Sequence, residues 1–211
     1  MKLFDVPFVQ NPDDQCVPAT IGMVLAYFCP DKQYSLDELD TLTGYKPGQG
    51  TWSTKSMLSL SGLGLQTRWI EDFDHVQFSQ NPEAYLASIL DEESLKWQVE
   101  HGDLAAEAKL INDYLASGHV IEQRKGTKKD IKQFIDDGWL VRLEVNANTL
   151  ADKPSYDGHS VLVIGYDDEN VTIHNPDATN GNKPSQVITW DHLEKAWREF
   201  GGSFSIYAFK K

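Results

Sequence analysis

The chain has 211 residues, 40% of them hydrophobic, with six Trp, eight Tyr and nine Phe; this supplies one sizeable core and is too aromatic for a disordered segment. A formal net charge of −13 at pH 7, with no basic cluster beyond Arg124-Lys125 and Lys128-Lys129, excludes nucleic acid as a partner and sets the chain as a whole against an anionic membrane surface. Two cysteines, Cys16 and Cys29, make no disulfide framework and no metal-ligand pair, so neither a metal nor a cofactor is expected.

At the N-terminus, Met1-Lys2-Leu3-Phe4-Asp5-Val6-Pro7 lacks the apolar run of about seven residues that a signal peptide needs. No stretch reaches the roughly 18 apolar residues of a membrane span. A cytoplasmic location is the expectation, and export by a dedicated secretion system is compatible with the same residues. Residues 3–9 lean towards strand, and Asn11-Pro12-Asp13-Asp14 is a turn cluster. From about Val17 to Phe28 the apolar residues Ile21, Val24, Leu25 and Phe28 follow helical spacing, with Pro18 in the first turn and Pro30 as the stop. Cys16 therefore opens a buried helix. Ser35 to Leu42 is a second helix with a Ser35/Glu38 capping box. Thr51 to Leu60 is a third, behind the Gly44–Gly50 loop, and Leu65 to Ile70 is a strand. From about Pro82 to Leu115 the pattern is helical and acidic, divided at Gly102, and Lys128 to Asp136 is a further helix.

After residue 138 strands dominate. Residues 139–145 form one, and 160–166 form an apolar run that reads as a central strand. Asp167–Asn170 turns the chain into the alternating Val171–His174. Gln186–Thr189 is a strand, Asp191–Phe200 a helix and Ser203–Phe209 the closing strand. Helices followed by an antiparallel sheet imply an α+β fold. The chain reads as a single domain, 1–211, with a helical insertion at about 75–137 that could cover a cleft between its halves.

A thiol nucleophile needs a partner base and donors for an oxyanion, and a helix N-terminus favours the thiolate. Cys16 has that place. Of the six histidines, His159 follows the Pro154–Gly158 turn and opens the most apolar strand, where a polar residue points into a site. An antiparallel hairpin returns Asn175 beside it, as a group that could orient the imidazole. Trp52, in a Gly-flanked loop, and Asp157, in the turn before His159, are candidates to border the cleft. His174 reads as a strand-edge residue. His75, His101, His119 and His192 read as surface residues, and Cys29 as core packing.

Gln10 six positions before Cys16, Gly158-His159 opening a strand that ends in Gly165-Tyr166, and Asn175-Pro176 sixteen residues after the histidine resemble a known pattern. It is that of papain-like cysteine peptidases, and within them the bacteriocin-leader (double-glycine) peptidases and their bacterial relatives. The resemblance spans most of the chain except roughly residues 75–125. It implies a papain-like fold, with an N-terminal helical part carrying Cys16 packed on a C-terminal antiparallel sheet carrying His159. It also implies a Cys-His-Asn triad of Cys16, His159 and Asn175, with Gln10 donating to the oxyanion and Gln15 as a second candidate donor. Gln15-Cys16-Val17 departs from the small residues usual around the nucleophile in that group. The expected activity is hydrolysis of a peptide or amide bond through an acyl-enzyme, with a peptide or protein as substrate. An inactive peptide-binding module of the same fold, an acyl transferase of the transglutaminase type and a protein-modifying toxin are the alternatives.

Overall fold

The computed structural model describes residues 2–198 and 204–211. In chain order the elements are β1 (Lys2–Leu3), α1 (Cys16–Phe28), α2 (Leu36–Thr43), α3 (Thr54–Gly62), β2 (Gln66–Ile70), α4 (His75–Gln80), α5 (Pro82–Ile89), α6 (Glu92–His101), α7 (Leu104–Ala116), β3 (Ile121–Glu122), α8 (Lys128–Asp136), β4 (Leu140–Asn146), α9 (Ala147–Leu150), β5 (Gly158–Tyr166), β6 (Asn170–Asn175), β7 (Lys183–Thr189), α10 (Trp190–Arg198) and β8 (Ile206–Lys210). One sheet runs β3-β2-β8-β4-β5-β6-β7, with β1 on the far end of β5. The pairs are antiparallel except β2 with β3. The fold is α+β, with N-terminal helices packed on a largely antiparallel sheet.

Both sheet faces are covered, and this explains the apolar strand runs. Leu162 and Ile164 of β5, with Leu140 of β4, face α1 and its neighbours. Val161 and Val163, with Val141 and Leu143, face Ile131 and Ile135 of α8 and Leu193 and Trp197 of α10. Alternation therefore divides one apolar run between two cores. Helix α1 lies between this sheet and α2, and Ile21, Met23, Val24 and Leu25 are fully buried. Each such side chain contributes about 1.5–3 kcal/mol by burial. Its polar Thr20 bonds to the Cys16 carbonyl at 3.0 Å and meets the Ser160 hydroxyl at 3.1 Å. At Gly165, an added Cβ would lie 2.9 Å from the Leu3 Cα, so the crossing of β1 requires glycine.

The structure departs from the sequence expectations in several places. The strand expected over residues 3–9 shortens to Lys2–Leu3, and the coil beyond it, broken by Pro7, leads to the Cys16 loop. The acidic helical stretch breaks at Gly102 as expected and once more before it, where Asp91 caps a new helix at Glu92. Helix α4 opens the helical stretch expected from about residue 75; Asp74 caps it by accepting from the Gln77 N–H at 2.9 Å. It carries His75, expected at the surface, into the interior against Trp69 and Glu71. The expected helix end at Phe200 and strand start at Ser203 lie outside the described residues. No helix among the described residues is long and apolar enough to cross a membrane.

Between α3, α7 and the sheet lies a buried polar cluster. Arg142 is fully buried and donates to Ser53, to Ser160 at 3.3 Å and to Glu144 at 3.2 Å, while its guanidinium sits 4.1 Å over the Tyr207 ring. Burial pushes the Glu144 carboxyl up, and Arg142 offsets only part of this. Glu107 of α7 bonds to Thr54; burial, with the Glu71 and Glu144 charges adding to it, pushes its carboxyl to about 7 from an ordinary 4.5. A carboxyl raised in the folded state gives stability that is present below about 4.5 and is lost as pH rises through about 7. A rise from 4.5 to about 7 amounts to about 3 kcal/mol. Glu107→Gln is therefore expected to raise the melting temperature by about 8 °C at pH 8 and to change it little at pH 5. Scanning calorimetry at the two pH values checks this, and equal shifts at both would contradict it.

Candidate active site

Cys16 is the first residue of α1, and its loop is held from two sides. The Gln15 side-chain amide donates to both Asp40 carboxylate oxygens, at 2.8 and 2.9 Å, and the Gln15 N–H donates to Asn11 Oδ1 at 2.9 Å. No side chain caps the helix start, so the partial positive charge of its first-turn amides is left uncompensated by a side chain at the end that carries Cys16. Val17, which departs from the family pattern, is only 6% exposed and packs into the core. It is therefore part of the packing behind the thiol.

His159 stands at the start of β5, opposite Val145 of β4, and is buried. Its Nε2–H donates to Asn175 Oδ1 at 2.8 Å, and Asn175 Nδ2 donates in turn to Gln186 Oε1 at 2.8 Å. With its nitrogen spent on Gln186, Asn175 presents its oxygen to the ring. The imidazole proton is thereby placed on Nε2, and Nδ1 is left as the basic nitrogen. The charge of Cys16 also acts on this imidazole. Burial works against a charged ring here. The hydrogen bond and charge of Cys16, then Asn175 and the Asp177 carboxylate, outweigh it and hold the imidazole above its ordinary value.

The structure thus brings Cys16, His159 and Asn175 together. Gln10 is exposed, in the coil six residues before Cys16. Gln15 is committed to Asp40, because its amide is needed to hold α2 against the Cys16 loop. Asp157 is exposed; its backbone N–H and carbonyl pair with Asn146 and Ala147, pinning the turn before His159. Trp52 is half-buried, packs on Phe78 at 5.3 Å between ring centroids, and donates to the Gly102 carbonyl at 2.6 Å. It therefore ties the α2–α3 loop to the α6–α7 junction. Lys46 and His101 strengthen the tie, through Asp103 at 2.8 Å and the Gly48 carbonyl at 3.0 Å. The same loop reaches the Cys16 side through Tyr45, which bonds Asp14.

Three participants escaped sequence reasoning. Gln186 carries no local mark beyond strand alternation. Asp177 was legible only as the residue after Asn175-Pro176. Asn11 reads as a turn former, yet it is buried in a network described below. His174 has both ring nitrogens committed: Nε2 donates to the Val6 carbonyl at 2.8 Å and Nδ1 accepts the Ser185 N–H at 3.0 Å. It ties the Gln10 coil to β6 and β7. Among the described residues, no three His, Cys, Asp or Glu side chains are grouped to hold a metal ion.

The family model described as the Peptidase_C39 like family matches residues 4–205. No curated protein matches the chain. Among solved structures, a C39-like peptidase from Bacillus anthracis is 20% identical with a TM-score of 0.34, the match covering 51% of this chain and 58% of that one. A double glycine motif protease from an AMS/PCAT transporter, solved with its leader peptide, is 14% identical over 99% of this chain and 94% of that one, with a TM-score of 0.48. The peptidase domain of Streptococcus ComA, a bi-functional ABC transporter of a quorum-sensing pathway, is 17% identical over 99% and 96%, with a TM-score of 0.47.

Proposed function

Because the chain belongs to the Peptidase_C39 like family, we propose that it is a thiol hydrolase that cleaves a peptide or amide bond through a Cys16 acyl-enzyme. The observation that carries this reading is the 2.8 Å bond from His159 to Asn175, with the charge of Cys16 acting on the same imidazole. In the first step His159 Nδ1 takes the thiol proton, and the Cys16 sulfur attacks the carbonyl carbon. The Cys16 backbone N–H and the Gln10 amide donate to the oxyanion. The imidazolium then passes its proton to the leaving amine as the C–N bond breaks. Water, deprotonated by the same imidazole, hydrolyses the thioester and restores the thiol. Asn175 acts by orienting the ring, and Gln186 by orienting Asn175.

The whole chain is proposed as one catalytic domain, with α4–α7 and the segment to Asp136 as its helical insertion. The bonds from Trp52, Lys46 and Gly48 to that block support a role as a fixed wall behind the α2–α3 loop.

The test is the pH dependence of Cys16 alkylation by iodoacetamide, with Cys16→Ala as the blank for Cys29. A thiolate–imidazolium pair reacts fast well below the unperturbed thiol value of about 8.5. A Cys16 that is slow at pH 6 and gains reactivity only near 8.5 would overturn the reading and leave a binding module of the same fold.

A further inference from the structure

Asn11 sits five residues before Cys16 in the chain, yet its side chain is only 3% exposed. All its polar groups are engaged. Oδ1 accepts from the N–H groups of Gln15 at 2.9 Å and Asp13 at 3.2 Å, and Nδ2 donates to the Pro176 carbonyl at 2.9 Å. The backbone is gripped as well. The Asn11 N–H donates to Asn182 Oδ1 at 2.9 Å, and the Asn11 carbonyl accepts from Asn182 Nδ2 at 3.0 Å.

The placement of these bonds gives them meaning. Gln15 immediately precedes Cys16, and Pro176 immediately follows Asn175. One side chain therefore bonds a neighbour of the nucleophile and a neighbour of the group that orients the base. The two bonded segments lie 165 positions apart and belong to different layers of the fold, the helix layer and the sheet. Helix α1 and strand β5 also touch through Thr20 and Ser160, but that contact lies one helical turn inside and constrains the packing of the layers. A shift of the Cys16 loop along the sheet edge is resisted at the Asn11 bonds. From this we infer that Asn11 and Asn182 form a clasp that sets the placement of Cys16 against His159, and that both are positioning residues of the thiol–imidazole pair. The inference rests on the thiol-hydrolase reading.

Loss of the clasp removes no group that touches substrate. It loosens the separation on which proton transfer between thiol and imidazole depends, and a displacement of about 1 Å can cost on the order of a hundredfold in rate. Asn182 is half-buried, so Asn182→Ala is the mild variant and Asn11→Ala the severe one.

The experiment measures the rate of Cys16 alkylation by iodoacetamide from pH 4 to 10 in wild type, His159→Ala, Asn182→Ala and Asn11→Ala, with melting temperature and near-ultraviolet circular dichroism of each. The expected result is a low-pH wave in wild type that His159→Ala abolishes. In Asn182→Ala the wave should be weakened about tenfold or more and displaced to higher pH, with the tertiary dichroism retained. Asn11→Ala should show the same change to a greater degree where it folds, and Asn182→Ala decides the matter where it does not. A wild-type profile in Asn182→Ala, alongside a lost wave in His159→Ala, overturns the clasp and leaves the hydrolase reading standing. A wild type with no low-pH wave overturns the hydrolase reading itself, and the clasp with it.

Discussion

Replacing His159 with alanine is expected to abolish the low-pH reactivity of Cys16 and to lower the turnover of a cleavable peptide amide by about a thousandfold. Asn175 commits the Nε2–H of the imidazole, which leaves Nδ1 as the nitrogen to act on Cys16. Without it the thiol must ionise alone, and the leaving amine loses its proton donor. The pH profile carries a second expectation. His159 is held above its ordinary value of 6.5, so its charged form persists as pH rises past that value and is lost only as pH passes the raised one. The alkaline limb of kcat/KM should accordingly lie above pH 6.5. The substitution removes a buried side chain, so the melting temperature is measured in parallel. A folded His159→Ala protein that keeps its low-pH alkylation would sink the dyad.

Arg142→Ala is expected to be the most destabilising single change in the sheet, by about 3–5 kcal/mol, which corresponds to a fall of about 10 °C in melting temperature. The guanidinium is fully buried and is shared among Ser53, Ser160, Glu144 and the Tyr207 ring. Truncation leaves the buried Glu144 carboxyl without the charge that offsets its burial and opens a hole beside Ser160, next to His159. The loss comes from stranding a partner more than from the intrinsic worth of the pair. Replacing Arg142 with Met and Glu144 with Gln together should therefore cost much less than Arg142→Ala. Chemical denaturation of the single and double variants measures the difference. A double variant as unstable as Arg142→Ala would show that packing of the guanidinium, rather than charge, holds this part of the sheet.

Several features were legible in the sequence because their causes are local. The Ser35/Glu38 capping box forms as read: Ser35 accepts from the Glu38 N–H, and Glu38 accepts from the Ser35 N–H at 2.9 Å. Pro18 and the apolar positions of α1 fix a helix start at Cys16. The turn at Asp167–Asn170 folds β6 back on β5, which is enough to return Asn175 to the neighbourhood of His159. Each of these depends on residues within a few positions or on one hairpin.

The remaining features depend on where separate elements meet. Gln15, a candidate oxyanion donor by position, is turned away because Asp40 of α2 arrives beside it. Trp52, a candidate cleft residue, is drawn onto Phe78 and Gly102 by helices some 25 to 50 positions later. His75 goes inside because Glu71 and Trp69 are already there, and Arg142 is buried with its terminal guanidinium nitrogens bonded to Glu144 and Ser53 and its plane over Tyr207. The sequence by itself determined most of the elements and their faces, and it marked Cys16, His159 and Asn175 as candidates. The tertiary structure alone decided which polar groups are spent on holding loops together. A hydrogen bond between residues 11 and 176, or 142 and 53, leaves no periodicity or spacing in the chain, since its partners are selected only when packed layers bring them within 3 Å and exclude the water that would otherwise satisfy them.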